Sequence, residues 1–148
     1  MPQPQIILGA DHNGYQLKQQ LKRWLETRGF STIDVGAKIF APRDHYPIFA
    51  KAVARAVKAG RGLGVLACGS GHGMVIGANR ARGVRAALCG TTFSAEMARH
   101  DDHANVLVIA AWETNFAKAK GIINRFLSTP PSLAARHLKR LAMLERIH

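Results

Sequence analysis

Cysteine, aromatic side chains, acidic residues and long apolar runs are all scarce in this chain of 148 residues. The cysteines are two, Cys68 and Cys89. A disulfide scaffold is excluded, because a chain of this length buries enough core to fold without staples. No apolar run approaches the roughly 20 residues a helix needs to cross a bilayer. The start, Met1-Pro2-Gln3-Pro4-Gln5, lacks the basic region of a secretory leader, and Ile6-Ile7-Leu8 is too short to be its apolar part. A cytoplasmic protein with no membrane partner is expected. Acidic residues number 9 against 21 Lys and Arg, a net charge of +12. Such a balance raises nucleic-acid binding as a reading. The scarcity of aromatics, at 7%, and the dispersal of the basic residues count against it. The surface is expected to attract small anions, with no nucleic-acid partner. Repeats, linkers and low-complexity tracts are also missing, so residues 1–148 are expected to form a single domain.

What is present is an alternation of short apolar runs and longer amphipathic segments. Gln5–Gly9, Thr32–Val35, Leu63–Ala67, Arg85–Leu88 and Asn105–Ala110 read as strands. Tyr15–Thr27, Pro47–Ala59, Gly73–Arg80, Ser94–Arg99 and Asn115–Leu127 read as the helices that follow them. Pro130-Pro131 breaks the chain, and Leu133–Ile147 reads as a last amphipathic helix. Strands that are apolar throughout belong to a sheet covered on both faces. The expected fold class is α/β: a Rossmann-like three-layer sandwich with a five-stranded parallel sheet and an extra C-terminal helix. In such folds ligands bind beyond the carboxyl ends of the strands. The loops after the strands therefore carry the function.

The densest of these is Cys68-Gly69-Ser70-Gly71-His72-Gly73. Alternate glycines let several amide N–H groups converge on one point, and a helix start adds its dipole. Those groups are expected to lower the pKa of Cys68. The thiol reads as a core residue, a nucleophile or a general base. Ser70 and the amides from Gly69 to Gly73 suit an oxyanion. No Lys-Ser/Thr follows the glycines, so this is not a nucleotide P-loop. Cys89 reads as a core thiol. After the first strand, Asp11 caps the next helix or meets substrate, and His12 beside it suits a phosphate or a sugar hydroxyl. Arg99-His100-Asp101-Asp102-His103 is dense in titratable groups and reads as an acid–base site or a polar helix end; no metal site is assigned. Arg136 and Arg140 lie at i and i+4, where paired guanidiniums suit a phosphate.

Together these motifs resemble the ribose-5-phosphate isomerase B family, which includes the galactose-6-phosphate isomerase subunits. The resemblance runs in order through Gly9-Ala10-Asp11-His12-Asn13-Gly14, Asp44-His45-Tyr46-Pro47, the Cys68–Gly73 run, Ala78-Asn79-Arg80, Gly83-Val84-Arg85-Ala86, Asn105-Val106-Leu107, and Arg136-His137 with Arg140. It implies an aldose–ketose isomerase of a sugar phosphate, by default ribose 5-phosphate and ribulose 5-phosphate. It also implies no metal or organic cofactor, and a homodimer or dimer of dimers with active sites between subunits. By resemblance Cys68 is the base that moves a proton between C1 and C2 through a cis-enediolate. Gly69, Ser70, Gly71 and Gly73 then hold the oxyanion. Asp11 and Tyr46 contact the sugar, with His72 and Asn79 at the substrate. His12, Arg136 and Arg140 hold the phosphate.

Three positions set this chain apart within that pattern. Met74 stands where some members carry a glutamate base, which makes this a cysteine-type chain. Asp101 stands where the family has its ring-opening histidine, with His100 and His103 on either side. Ring opening passes to one of these three, or the substrate needs none, as with a tetrose phosphate. Trp112 stands where an arginine often assists at the phosphate. The rival readings are an isomerase of a tetrose or hexose phosphate, and a sugar-phosphate binder without catalysis.

Overall fold

The computed structural model describes residues 2–147. Five strands alternate with helices: β1 (Ile6–Ala10), α1 (Tyr15–Thr27), β2 (Thr32–Asp34), α2 (Tyr46–Lys58), β3 (Leu63–Cys68), α3 (His72–Ala78), β4 (Ala86–Leu88), α4 (Thr92–Asp102), β5 (Val106–Ala110) and α5 (Phe116–Ser128). A last helix, α6 (Ala135–Leu144), follows the Pro130-Pro131 break. All pairings are parallel, in the order β2-β1-β3-β5-β4. The α/β three-layer architecture with an extra C-terminal helix is the one expected from the apolar strands. Every residue of β1 and β5 is buried, as both-face coverage requires.

One core layer joins Leu17, Leu21 and Leu25 of α1 to Ile122, Ile123 and Phe126 of α5 across Ile6, Leu8, Leu107 and Ile109. The other joins Ala50, Val53, Ala54 and Val57 of α2 to Met74 and Ala78 of α3 across Ile7, Leu66, Val106 and Val108. The spacing of four along α1 puts its leucines on one face. Each fully buried aliphatic side chain contributes about 1.5–3 kcal/mol.

The strand order places the site. From β1 the chain winds outward to β2, then returns across β1 to β3. The crevice therefore opens between the carboxyl ends of β1 and β3. Ala10 pairs with Ala67, so Asp11 and Cys68 leave neighbouring strands side by side. Gly14 sits under the same crevice, where a Cβ would come within 2.3 Å of the Ala67 carbonyl oxygen. Only glycine lets α1 start this close to β3.

Most element boundaries lie within two residues of the sequence reading, and two helix ends differ by three. The segment expected to end at Arg99 continues as α4 to Asp102, and His103 ends it in a left-handed conformation with φ 50°. His100 and Asp101 are thus helical. The last helix is shorter than the apolar spacing predicts, running from Ala135 to Leu144. Its start is held instead by Ser132, whose amide donates to the His100 carbonyl.

Candidate active site

Cys68 ends β3 and is buried. The Gly71 amide donates to its Sγ at 3.2 Å, and the Met74 amide also faces the sulfur. Gly71 reaches this position with φ +82°, which a side chain would strain. The expected lowering of the thiol pKa does not hold. Burial pushes the Cys68 thiol up, outweighing the two amides, and the Asp11 carboxylate pushes in the same direction. The amides of the run are also partly engaged. Gly71 faces the sulfur, and His72 donates to Ser70 Oγ at 3.3 Å. The Ser70 hydroxyl accepts here and keeps its own proton to donate.

Two aromatic rings wall the cradle. A Cβ on Gly69 would lie 2.4 Å from the Trp112 indole, and one on Gly73 would lie 2.6 Å from the Tyr46 ring. The glycines thus serve close packing as well as turning. Trp112 is 71% exposed, so its outer face is open to a ligand or to a second chain. His72 is exposed beside the cradle.

On the β1 side, Asp11 is buried, and one of its oxygens accepts from the amides of Asn13 and Gly14. Burial raises its pKa, and those two amides oppose the rise. His12 is gripped by Asp44: its amide and its Nδ1 lie 2.9 and 2.7 Å from the same carboxylate oxygen. Asp44 arrives on the loop between β2 and α2. Lys18, fully buried, anchors that loop's start through Asp34 at 2.8 Å and the Ala37 carbonyl at 2.5 Å. Asp44 was not among the expected site residues. The sequence signals for it are its place in a loop after a strand and in the Asp44-His45-Tyr46-Pro47 run of the family resemblance.

The remaining expected residues gather elsewhere. α4 runs back to the amino end of the sheet, where Asn105 accepts from the Gly64 amide at the start of β3. His100, Asp101 and His103 therefore lie at the end opposite Cys68, and α6 packs there against α4. Six residues of β3 separate the two ends by roughly 17–20 Å. Within one chain, neither these three nor Arg136 and Arg140 meet Cys68. They form a cluster of their own. His100 Nδ1 lies 2.7 Å from Asp101 Oδ1, and His137 Nε2 lies 3.7 Å from it. His137 Nδ1 contacts Ser132 Oγ at 2.7 Å, and His103 Nε2 donates to the Ser132 carbonyl at 2.7 Å. The hydrogen bond from His100 holds the Asp101 carboxyl below its usual range. Buried His137 was missed by the sequence reading, which paired its neighbours Arg136 and Arg140 as phosphate ligands. Asn79 is also far from the cradle. It caps the far end of α3, and its side-chain amide brackets the backbone of Ala86, donating to its carbonyl and accepting from its amide. These two bonds make it a staple between α3 and β4.

Two sets of side chains bring three potential metal ligands within 4.8 Å: His100, Asp101 and His137, and Asp11, His12 and Asp44. In both, the groups already hydrogen-bond one another, the backbone or, for His137, the Ser132 hydroxyl.

A doubly wound parallel sheet with a thiol, a buried carboxylate and an amide cradle at its switch crevice defines an α/β protein built to act on a small anionic molecule. The comparisons sharpen this. Residues 6–144 match the family described as Ribose/Galactose Isomerase, and the chain belongs to that family. It is 39% identical over 147 residues to ribose-5-phosphate isomerase B of Mycobacterium leprae, covering 97% of this chain and 91% of that one. It is 37% identical over 123 residues to galactose-6-phosphate isomerase subunit LacB of Clostridium acetobutylicum, covering 82% and 70%. The crystal structure of the Thermotoga maritima ribose 5-phosphate isomerase superposes with a TM-score of 0.93 at 35% identity, covering 97% of this chain and 99% of the other. That of ribose-5-phosphate isomerase B from Mycoplasma genitalium, with ribulose-5-phosphate bound, gives 0.92 at 35% identity, covering 96% and 94%.

Proposed function

We propose that this protein interconverts ribose 5-phosphate and ribulose 5-phosphate, with Cys68 as the base. The observation that carries the reading is Cys68 at the crevice, beside Asp11 and under the Gly71 and Met74 amides, in a chain this similar to ribose-5-phosphate isomerases B. As thiolate, Cys68 takes the C2 proton of the open-chain aldose and returns it to C1, while the O2 hydroxyl proton passes to O1 of the cis-enediolate. The charge developing on oxygen falls to the cradle rim and the Ser70 hydroxyl, each good donor contributing about 3 kcal/mol. Asp11 and Tyr46 face the sugar. His12 meets the phosphate from one side, and Arg136 and Arg140 of a second copy meet it from the other.

The second copy is part of this reading because the two residue groups lie a sheet's length apart in one chain. It is supported by large apolar side chains left exposed beside the cradle and on α6, among them Trp112, Ile76, Phe93, Leu138 and Met143. Ring opening is assigned to the His100–Asp101 pair of that second copy. Among the described residues no helix is long and apolar enough to cross a membrane.

A tetrose phosphate is the second reading, favoured by the Trp112 indole packed over Gly69, which shortens the cradle. The deciding experiment is an isomerisation assay over pentose, tetrose and hexose phosphates. Turnover of ribose 5-phosphate above the others is expected. Turnover of a tetrose phosphate alone would replace the substrate assignment, and binding without turnover would replace the enzyme by a binder.

A further inference from the structure

The pairing of His12 with Asp44 has chemistry of its own. Asp44 lies on a different loop, 32 residues along the chain, and its carboxylate is 11% exposed. A carboxylate only accepts hydrogen bonds, so the proton shared at 2.7 Å sits on His12 Nδ1. The backbone amide of His12 donates to the same oxygen at 2.9 Å. These two bonds fix both the backbone and the ring edge of one residue, leaving Nε2 as the edge that is not held. The other carboxylate oxygen, Oδ2, is buried with no partner among the described residues. A buried acceptor left unpaired is costly, and loop packing alone does not call for a carboxylate there. Asp11 completes the group, with ligand atoms of all three residues within 4.8 Å of one another, and its carboxylate is the one that acts on the Cys68 thiol.

We propose that Asp44 is a positioning residue for the sugar-phosphate site: by accepting from His12 Nδ1–H it orients the ring so that, as an imidazolium donating from both nitrogens, it presents Nε2–H to the substrate anion, and so sets affinity rather than the rate of proton transfer at carbon. The inference rests on the isomerase reading for its substrate but not for its anion. Substrate binding orders nothing further at His12, because the ring is already oriented. Proton transfer stays with Cys68, which Asp44 does not touch.

The test is a double-mutant cycle of Asp44→Asn, His12→Asn and the pair, read in three ways. Steady-state kinetics give KM and kcat for ribose 5-phosphate. Calorimetry gives the dissociation constant of inorganic phosphate. Thermal melting reports folding. Asp44→Asn is expected to raise KM and the phosphate dissociation constant together, by about 10-fold or more, the loss of one charge-assisted hydrogen bond. Its kcat is expected to stay within about 3-fold of the parent. The pair is expected to be no weaker than His12→Asn alone, since Asp44 acts only through His12. A loop staple would give additive losses that track melting temperature, and that result overturns the proposal. So does tighter phosphate binding by Asp44→Asn, which simple removal of a negative charge near an anion would produce. A fall in kcat at unchanged KM overturns it as well. Should the parent protein bind phosphate and show this coupling without turning over ribose 5-phosphate, the substrate reading fails and the positioning role stands.

Discussion

Cys68 shows how one side chain is set by competing surroundings. Amides that favour its thiolate are present, yet burial and the Asp11 carboxylate favour the thiol. The base form is therefore a minor species near neutral pH and grows as pH rises. Activity limited by this group is expected to climb with pH through about 7 to 9 without a plateau at neutrality. A pH profile of kcat/KM checks this; a rate that is flat from neutral pH upward would remove Cys68 as the titrating base. Cys68→Ala is expected to lower turnover by on the order of 10³-fold and to abolish exchange of the substrate C2 proton with solvent, followed by NMR in deuterium oxide. Retained exchange would assign the base to another group. The glycines around Cys68 were legible as a cradle, because their spacing is local. Their second task, admitting the Trp112 and Tyr46 rings, was not, since both rings come from distant segments.

At the level of elements, two contacts decide how the site is held. The first is the approach of α1 to β3 at Gly14. Gly14→Ala places a methyl against the Ala67 backbone. It is expected to cost about 1–3 kcal/mol, lowering the melting temperature and the activity together. An unchanged melting temperature would show that α1 accommodates a methyl group at this approach. The second is the junction of α4 and α6 through Asp101, His100, His137 and Ser132. The Asp101 carboxyl is held below its usual range by His100. Its contribution is therefore complete above the ordinary carboxylate pKa and is lost as pH falls through the lower folded value. Amide hydrogen exchange in α6 is expected to quicken at that acid end, and to quicken at neutral pH in His137→Ala. The helices and strands themselves were legible from apolar spacing. The run from His100 to Asp102 lies beyond the expected end of the helix at Arg99 and reads from sequence as an acid–base site or a polar helix end; docking to the segment after Pro131 accompanies its helical form.

For the whole molecule, the expected site residues fall into two groups at opposite ends of one sheet. If one chain supplies Cys68 and another Arg136 and Arg140, two inactive variants complement each other. Mixing Cys68→Ala with Arg136→Ala/Arg140→Ala after mild dissociation and reassociation is expected to restore about a quarter of parental activity, because half of randomly assorted dimers carry one intact site of two. No recovery, with mixed dimers present by mass spectrometry, would place the whole site within one chain. The net charge of +12 belongs to this scale too. It raises the local concentration of anionic substrate, so KM for a sugar phosphate is expected to rise with ionic strength.

By itself the sequence determined the layers of the fold and the cradle. Strands apolar on every residue must be buried on both faces, and a glycine-rich turn after such a strand must lie at its carboxyl end. Tertiary structure alone decided what surrounds the thiol and which candidates share a site. Burial, not the neighbouring amides, governs Cys68, and burial depends on every element packed over it. Asp44 reaches His12 and Asn79 is diverted to Ala86 because loops far apart in the chain converge at a strand end. The sheet, a rigid spacer six residues deep at β3, holds Asp101 and the α6 arginines away from Cys68 of the same chain.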